Sequence, residues 1–108
     1  MSTPQKPGPE RPAGQIQIKV TDEVLGGVYA NLLLVTHTRE EFVLDFVSVF
    51  PGGGRLNARV ITSPGHFKRI LRAMQDNLAK YETAHGKVVE SEEPPKPIVE
   101  LGGGGQPN

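Results

Sequence analysis

Apolar positions along this chain first alternate with polar ones, then crowd together, and finally recur every three or four residues. Ile16, Ile18 and Val20 alternate with Gln17 and Lys19, the period-two pattern of a half-buried strand. Asp22-Glu23 and Gly26-Gly27 then allow a turn, with Val24 and Leu25 between them in a helical turn. A second strand is predicted over residues 28–36 and a third over 42–50, joined by Thr38-Arg39-Glu40-Glu41. Pro51-Gly52-Gly53-Gly54 is the clearest turn, because proline presets one dihedral and glycine accepts positive φ. A fourth strand over 56–62 follows at once, and loops this short join antiparallel neighbours.

After Thr62 the period changes. Ser63-Pro64 is a helix start, with serine able to cap free amides and proline at the first position, where its missing N–H costs nothing. Phe67, Leu71, Met74, Leu78 and Tyr81 then recur at helical spacing, and Ile70 widens the stripe. Gly86 is placed to end the helix, with His85 in its last turn. The pattern therefore predicts an α+β domain: a four-stranded antiparallel β-meander followed by one long C-terminal helix.

That sheet carries more apolar surface than one helix can cover. Val28, Ala30, Leu32 and Leu34 lie opposite Tyr29, Leu33 and Val35 on the second strand, and Phe42, Leu44, Phe46 and Phe50 lie opposite Val43, Val47 and Val49 on the third. A sheet with one solvated face alternates more cleanly than this. The economical cover for the second face is another copy of the chain, a dimer or higher oligomer. The other candidate is a tail of the same chain folded back.

Composition bounds the rest. Residues 1–14 hold four prolines and two glycines and, apart from Met1, no aliphatic side chain larger than alanine; a segment of this kind cannot bury enough apolar surface to offset its ordering entropy. Residues 87–108 combine Glu90, Glu92, Glu93, Pro94, Pro95 and Pro97 with Gly102 to Gly105. Both ends are thus expected to be disordered tails around a domain at 15–86. The C-terminal one contains a short apolar island, Ile98, Val99 and Leu101, that suits a peptide docking on a sheet edge or groove, or is simply an aliphatic cluster in a tail.

Twelve basic and twelve acidic residues cancel, so no general attraction to nucleic acid or anionic membrane is expected. The absence of cysteine excludes a disulfide framework and thiolate zinc sites, and the three histidines are scattered. No apolar run approaches the roughly 18 residues of a membrane-spanning helix, and no secretory signal is visible; the cytoplasm is the expected compartment, with no membrane partner.

Candidate chemistry is sparse. Asp45 stands in the most apolar strand, with Asn31 and Arg59 in the flanking ones, and a carboxylate there requires a partner; Asn31, Asp45 and Arg59 form the expected structural polar cluster. His37 ends the second strand and is a candidate base or pH-sensitive group. Neither acid nor histidine has a nucleophile or second carboxylate assigned to it, which points away from an enzyme and from any cofactor. Around the helix start, His66, Lys68, Arg69 and Arg72 form a candidate anion or nucleic-acid patch, whose other reading is a solvated helix face.

The runs Gly27-Val28-Tyr29-Ala30-Asn31-Leu32, Thr36-His37-Thr38, Glu41-Phe42-Val43-Leu44-Asp45-Phe46, Arg59-Val60-Ile61-Thr62-Ser63-Pro64 and Arg69-Ile70-Leu71-Arg72-Ala73-Met74-Gln75-Asp76-Asn77 resemble the small bacterial domain-of-unknown-function family 3467 over residues 15–82. The resemblance draws attention to Tyr29, Asn31, His37, Asp45, Arg59, Arg72, Asp76 and Asn77 without giving any of them a role. A meander followed by a long helix is also similar in topology to the SecB-type export chaperones, a likeness of fold only. The expected function is a non-enzymatic, homo-oligomeric protein-interaction module, scaffold or chaperone-like, binding itself and a protein partner. The alternative is a nucleic-acid or anion-binding protein using the basic part of the helix.

Overall fold

A computed structural model describes residues 14–98. Its elements in chain order are α1 (Asp22–Leu25), β1 (Leu32–His37), β2 (Phe42–Phe50), β3 (Gly53–Thr62) and α2 (Pro64–His85). The three strands form one antiparallel sheet in the order β1-β2-β3, so the most apolar strand is the central one.

The expected meander is therefore three strands among the described residues, not four. Residues 16–20 run without regular structure, with Ile16 77% and Ile18 75% exposed. Alternation records only that a segment suits a pleated, half-buried surface, and the rest of the fold decides whether a strand forms there. The strand expected from residue 28 starts at Leu32: the Tyr29 carbonyl is taken by the Ser48 hydroxyl, and Asn31 joins β2 by one backbone bond and its side chain.

Turn chemistry accounts for both hairpins. Between β1 and β2, the Thr38 hydroxyl accepts from the Glu40 and Glu41 N–H groups at 3.1 and 3.2 Å, and Thr38 N–H donates to the Glu41 carbonyl. Between β2 and β3, Gly52 takes φ 95°, a conformation side chains resist. Cross-strand pairs then fix the two faces. One carries Leu33 and Val35, Phe42, Leu44 and Phe46, and Ala58 and Val60. The other carries Leu32 and Leu34, Val43, Asp45, Val47 and Val49, and Leu56, Arg59 and Ile61.

Helix α2 starts as its sequence predicts. Ser63 is extended (φ −76°, ψ 157°), its hydroxyl accepts from the His66 N–H, and Pro64 occupies the first turn. Gly86, at φ 96°, ends it with its N–H bonded to the Glu82 carbonyl. Phe67 stacks on Phe42 with ring centroids 4.1 Å apart, and Phe42 also packs on His37. This contact seats the start of the helix on the Leu44 face.

The cover stops there. Phe67 and Ile70 are half-buried, whereas every position from 71 to 81 is exposed, including Leu71, Met74, Leu78 and Tyr81 at 46–52%. One face of the sheet was expected to lie under the helix; only the first two turns reach it. Leu44, 3% exposed, is the only fully buried hydrophobic residue described.

Candidate functional site

The sheet brings two of the three residues of the expected polar cluster together. Asp45 and Arg59 are cross-strand partners on β2 and β3, so their side chains emerge side by side on one face. The guanidinium grips the carboxylate with both prongs, Nε to Oδ1 at 2.7 Å and the second nitrogen to Oδ2 at 2.8 Å. These hydrogen bonds, helped by the positive charge and opposed by partial desolvation, hold the Asp45 carboxyl below its ordinary value of 3.8 and raise Arg59 in turn. The Asp45 side chain is 13% exposed and that of Arg59 57%. The carboxylate thus stands in the central strand among apolar neighbours with its charge matched by a partner that reaches solvent.

Asn31 is not part of this pair. Its side chain imitates one rung of the ladder, accepting from the Val49 N–H at 2.8 Å and donating to the Val49 carbonyl at 3.1 Å. This extends the β1-β2 pairing beyond the end of the strand, where Asn31 N–H also donates to Val47.

A second polar group, unmarked in the sequence reading, lies at the irregularity in β2-β3 pairing between Phe46 and Val47. Asn57 is the extra residue there, and its amide donates to the Tyr29 carbonyl and to Ser48 Oγ, each at 2.6 Å. Ser48 donates to the same carbonyl at 2.9 Å, and Arg55 Nε donates to the Asn57 side chain at 3.2 Å. These bonds tie the segment before β1 to the far strand. The available signal was asparagine inside a strand, a residue type depleted from regular ladders and at home in a bulge.

His66, Lys68, Arg69 and Arg72 are all exposed on the first turns of α2. The cations make no ion pair among the described residues. The His66 N–H, one of the free amides of the helix start, is already taken by Ser63. His37 lies against the Phe42 ring, with centroids 5.3 Å apart.

A cleft of about 530 Å³ opens at the hairpin end of the Asp45 face. Leu34, Val47, Val49 and Leu56 line it from the sheet, and Pro95 and Ile98 from the returning C-terminal segment. The candidate docking motif thus begins beside its own sheet, although Ile98 itself is 90% exposed. Val99 and Leu101 lie outside the described residues, as do residues 1–13 of the N-terminal arm. Among the described residues no group of three or more metal-ligating side chains occurs, and no helix is long and apolar enough to cross a membrane.

The arrangement is that of a small α+β domain with two incompletely covered sheet faces, an ion pair on one of them and an uncovered helix. The family model for proteins of unknown function designated DUF3467 matches residues 1–90, and the chain belongs to that family. No curated protein and no solved structure matches it.

Proposed function

We propose that the protein is a non-enzymatic protein-interaction module that works as a homo-oligomer. The observation behind this reading is the imbalance between the one buried side chain among the described residues, Leu44, and the apolar positions left uncovered: the α2 stripe, Leu33, Val35 and Val60 on one sheet face, Leu56 and Ile61 on the other. Contiguous apolar area of this kind is rare on proteins that remain monomeric, and a domain of about 70 residues gains little stability from so small a core. Residues 16–20 favour the same reading, since their alternation suits a fourth strand added to an edge that a second copy supplies. The cleft beside Pro95 and Ile98 offers an apolar groove for an extended peptide, in the manner of a scaffold or chaperone.

Sedimentation equilibrium on the full chain tests the reading. A mass of two or more chains at micromolar concentration is expected, and a single-chain mass throughout removes it. Lys68, Arg69 and Arg72, exposed and without an ion pair among the described residues, favour the second reading, an anion or nucleic-acid surface, which requires binding that weakens steeply with added salt.

A further inference from the structure

The α2 stripe has a narrower period than an ordinary amphipathic helix. Phe67, Leu71, Met74, Leu78 and Tyr81 are separated by four, three, four and three residues, the seam of a coiled coil, with Leu71 and Leu78 at a positions and Phe67, Met74 and Tyr81 at d. Lys68, Gln75 and Glu82 then occupy the e positions and Ile70, Asn77 and Ala84 the g positions that flank it. The chain's own sheet does not cover the seam. β3 ends at Thr62, the helix starts at Pro64, and the Phe67–Phe42 stack fixes the first turn, yet the stripe beyond Ile70 is open.

We propose that a second copy of the chain covers this seam, with the two α2 helices antiparallel about a two-fold axis passing near Asp76. The proposal rests on the homo-oligomer reading above and names its interface. In this register Leu71 packs opposite Tyr81 of the partner and Met74 opposite Leu78, and by symmetry each layer occurs twice. Lys68 meets Glu82 of the partner at both ends, an opposite-charge pair made twice. Glu82 uses one carboxylate oxygen on the Val88 N–H, at 3.0 Å, which leaves the other for the lysine. Close to the axis, Gln75 meets Gln75 of the partner and Asn77 meets Asn77 of the partner. An amide both donates and accepts, so it can pair with its own copy where a charge would repel itself. Ile70 falls opposite Ala84, an apolar pair next to the seam.

A parallel pairing lacks this match. It sets each e position against a g position, placing Glu82 beside Asn77 and Gln75 beside Ile70, with no carboxylate opposite Lys68. The seam spans two heptads, fewer than an isolated coiled coil needs. The contact therefore belongs to the intact chain, in which the Ser63 cap and the Phe67 stack already order the helix.

Charge exchange in the full chain tests the pairing. Lys68→Glu and Glu82→Lys should each weaken dimerisation by about tenfold in sedimentation equilibrium, because two attractive pairs per dimer become repulsive. The double variant should return to within about twofold of the natural protein. Circular dichroism should show the helix unchanged in all three. Orientation is read independently from nitroxide labels on single cysteines, the chain having none of its own. Labels at Gln75 should lie close together, whereas labels at Lys68 should be separated by about 24 Å along the axis, sixteen helical steps. Equally short distances at both sites would establish a parallel pair and overturn the proposal. A dimer indifferent to all three charge variants would also overturn it, while leaving homo-oligomerisation through the sheet faces standing. A single-chain mass at every concentration removes both.

Discussion

The centre of the sheet and one stripe of helix α2 both present apolar side chains that need cover, yet one is satisfied within the chain and the other is not. On β2, Leu44 is buried, and Asp45, the one charge in that strand, is gripped by Arg59 through two hydrogen bonds. On α2, no position beyond Ile70 finds an apolar neighbour sufficient to take it out of water until the half-buried Glu82, itself a charged residue. The difference is one of contact. Strand partners are supplied by hairpins a few residues long, whereas α2, about as long as β3, packs on the sheet through its start at Phe67 and leaves its stripe beyond Ile70 in water. An apolar pattern therefore states what a surface needs, and topology decides whether the same chain can supply it.

Leu44→Ala gives the largest test of the sheet side of this contrast. Removing the one fully buried hydrophobic side chain described should cost about 3 kcal/mol in urea unfolding, because the lost transfer energy is joined by a cavity between β1, β3 and the helix start. A loss no greater than that from an exposed stripe leucine would mean that the real core lies elsewhere, in contacts between copies.

On the helix side, Ser63→Ala should cost about 1 kcal/mol, read by thermal unfolding followed at the helix band, since the hydroxyl bonded to the His66 N–H is lost. The effect should add to that of Leu44→Ala, because the cap and the sheet centre share no partner. Strong coupling between the two would show that helix and sheet are one cooperative body despite the open stripe.

The smallest effect concerns pH. With its carboxyl held below 3.8 by Arg59 in the folded state, Asp45 contributes stability that is fully present above the unfolded carboxylate value and is lost as pH falls through the folded one. The natural protein should therefore lose its advantage over Asp45→Asn as the pH drops from about 5 to 2 in parallel melts. Parallel curves across that range would show that the pair contributes nothing. The contribution is modest because more than half of the Arg59 side chain is solvated.

Much of this structure was legible locally. β2 occupies the predicted span, the Ser63-Pro64 start and the Gly86 end of α2 are where their residue types put them, and the Asp45–Arg59 pairing follows from an ionisable residue in an apolar strand. Each of these depends on interactions within a turn, a cap or a hairpin. Residues 16–20 failed as a strand and Asn31 left the polar cluster for the Val49 backbone because both outcomes depend on which edges are free once the sheet has formed. The polar group at Asn57 was missed for a similar reason: a bulge exists only relative to the strand opposite.

The amino-acid sequence thus determined the periods, the caps, the turns and the surplus of apolar surface, since these are properties of neighbours along the chain. Only the tertiary structure decided where that surplus lies. It lies on α2 beyond Ile70 and on both sheet faces, because three strands and the first two turns of one helix bury Leu44 and leave the rest in contact with water.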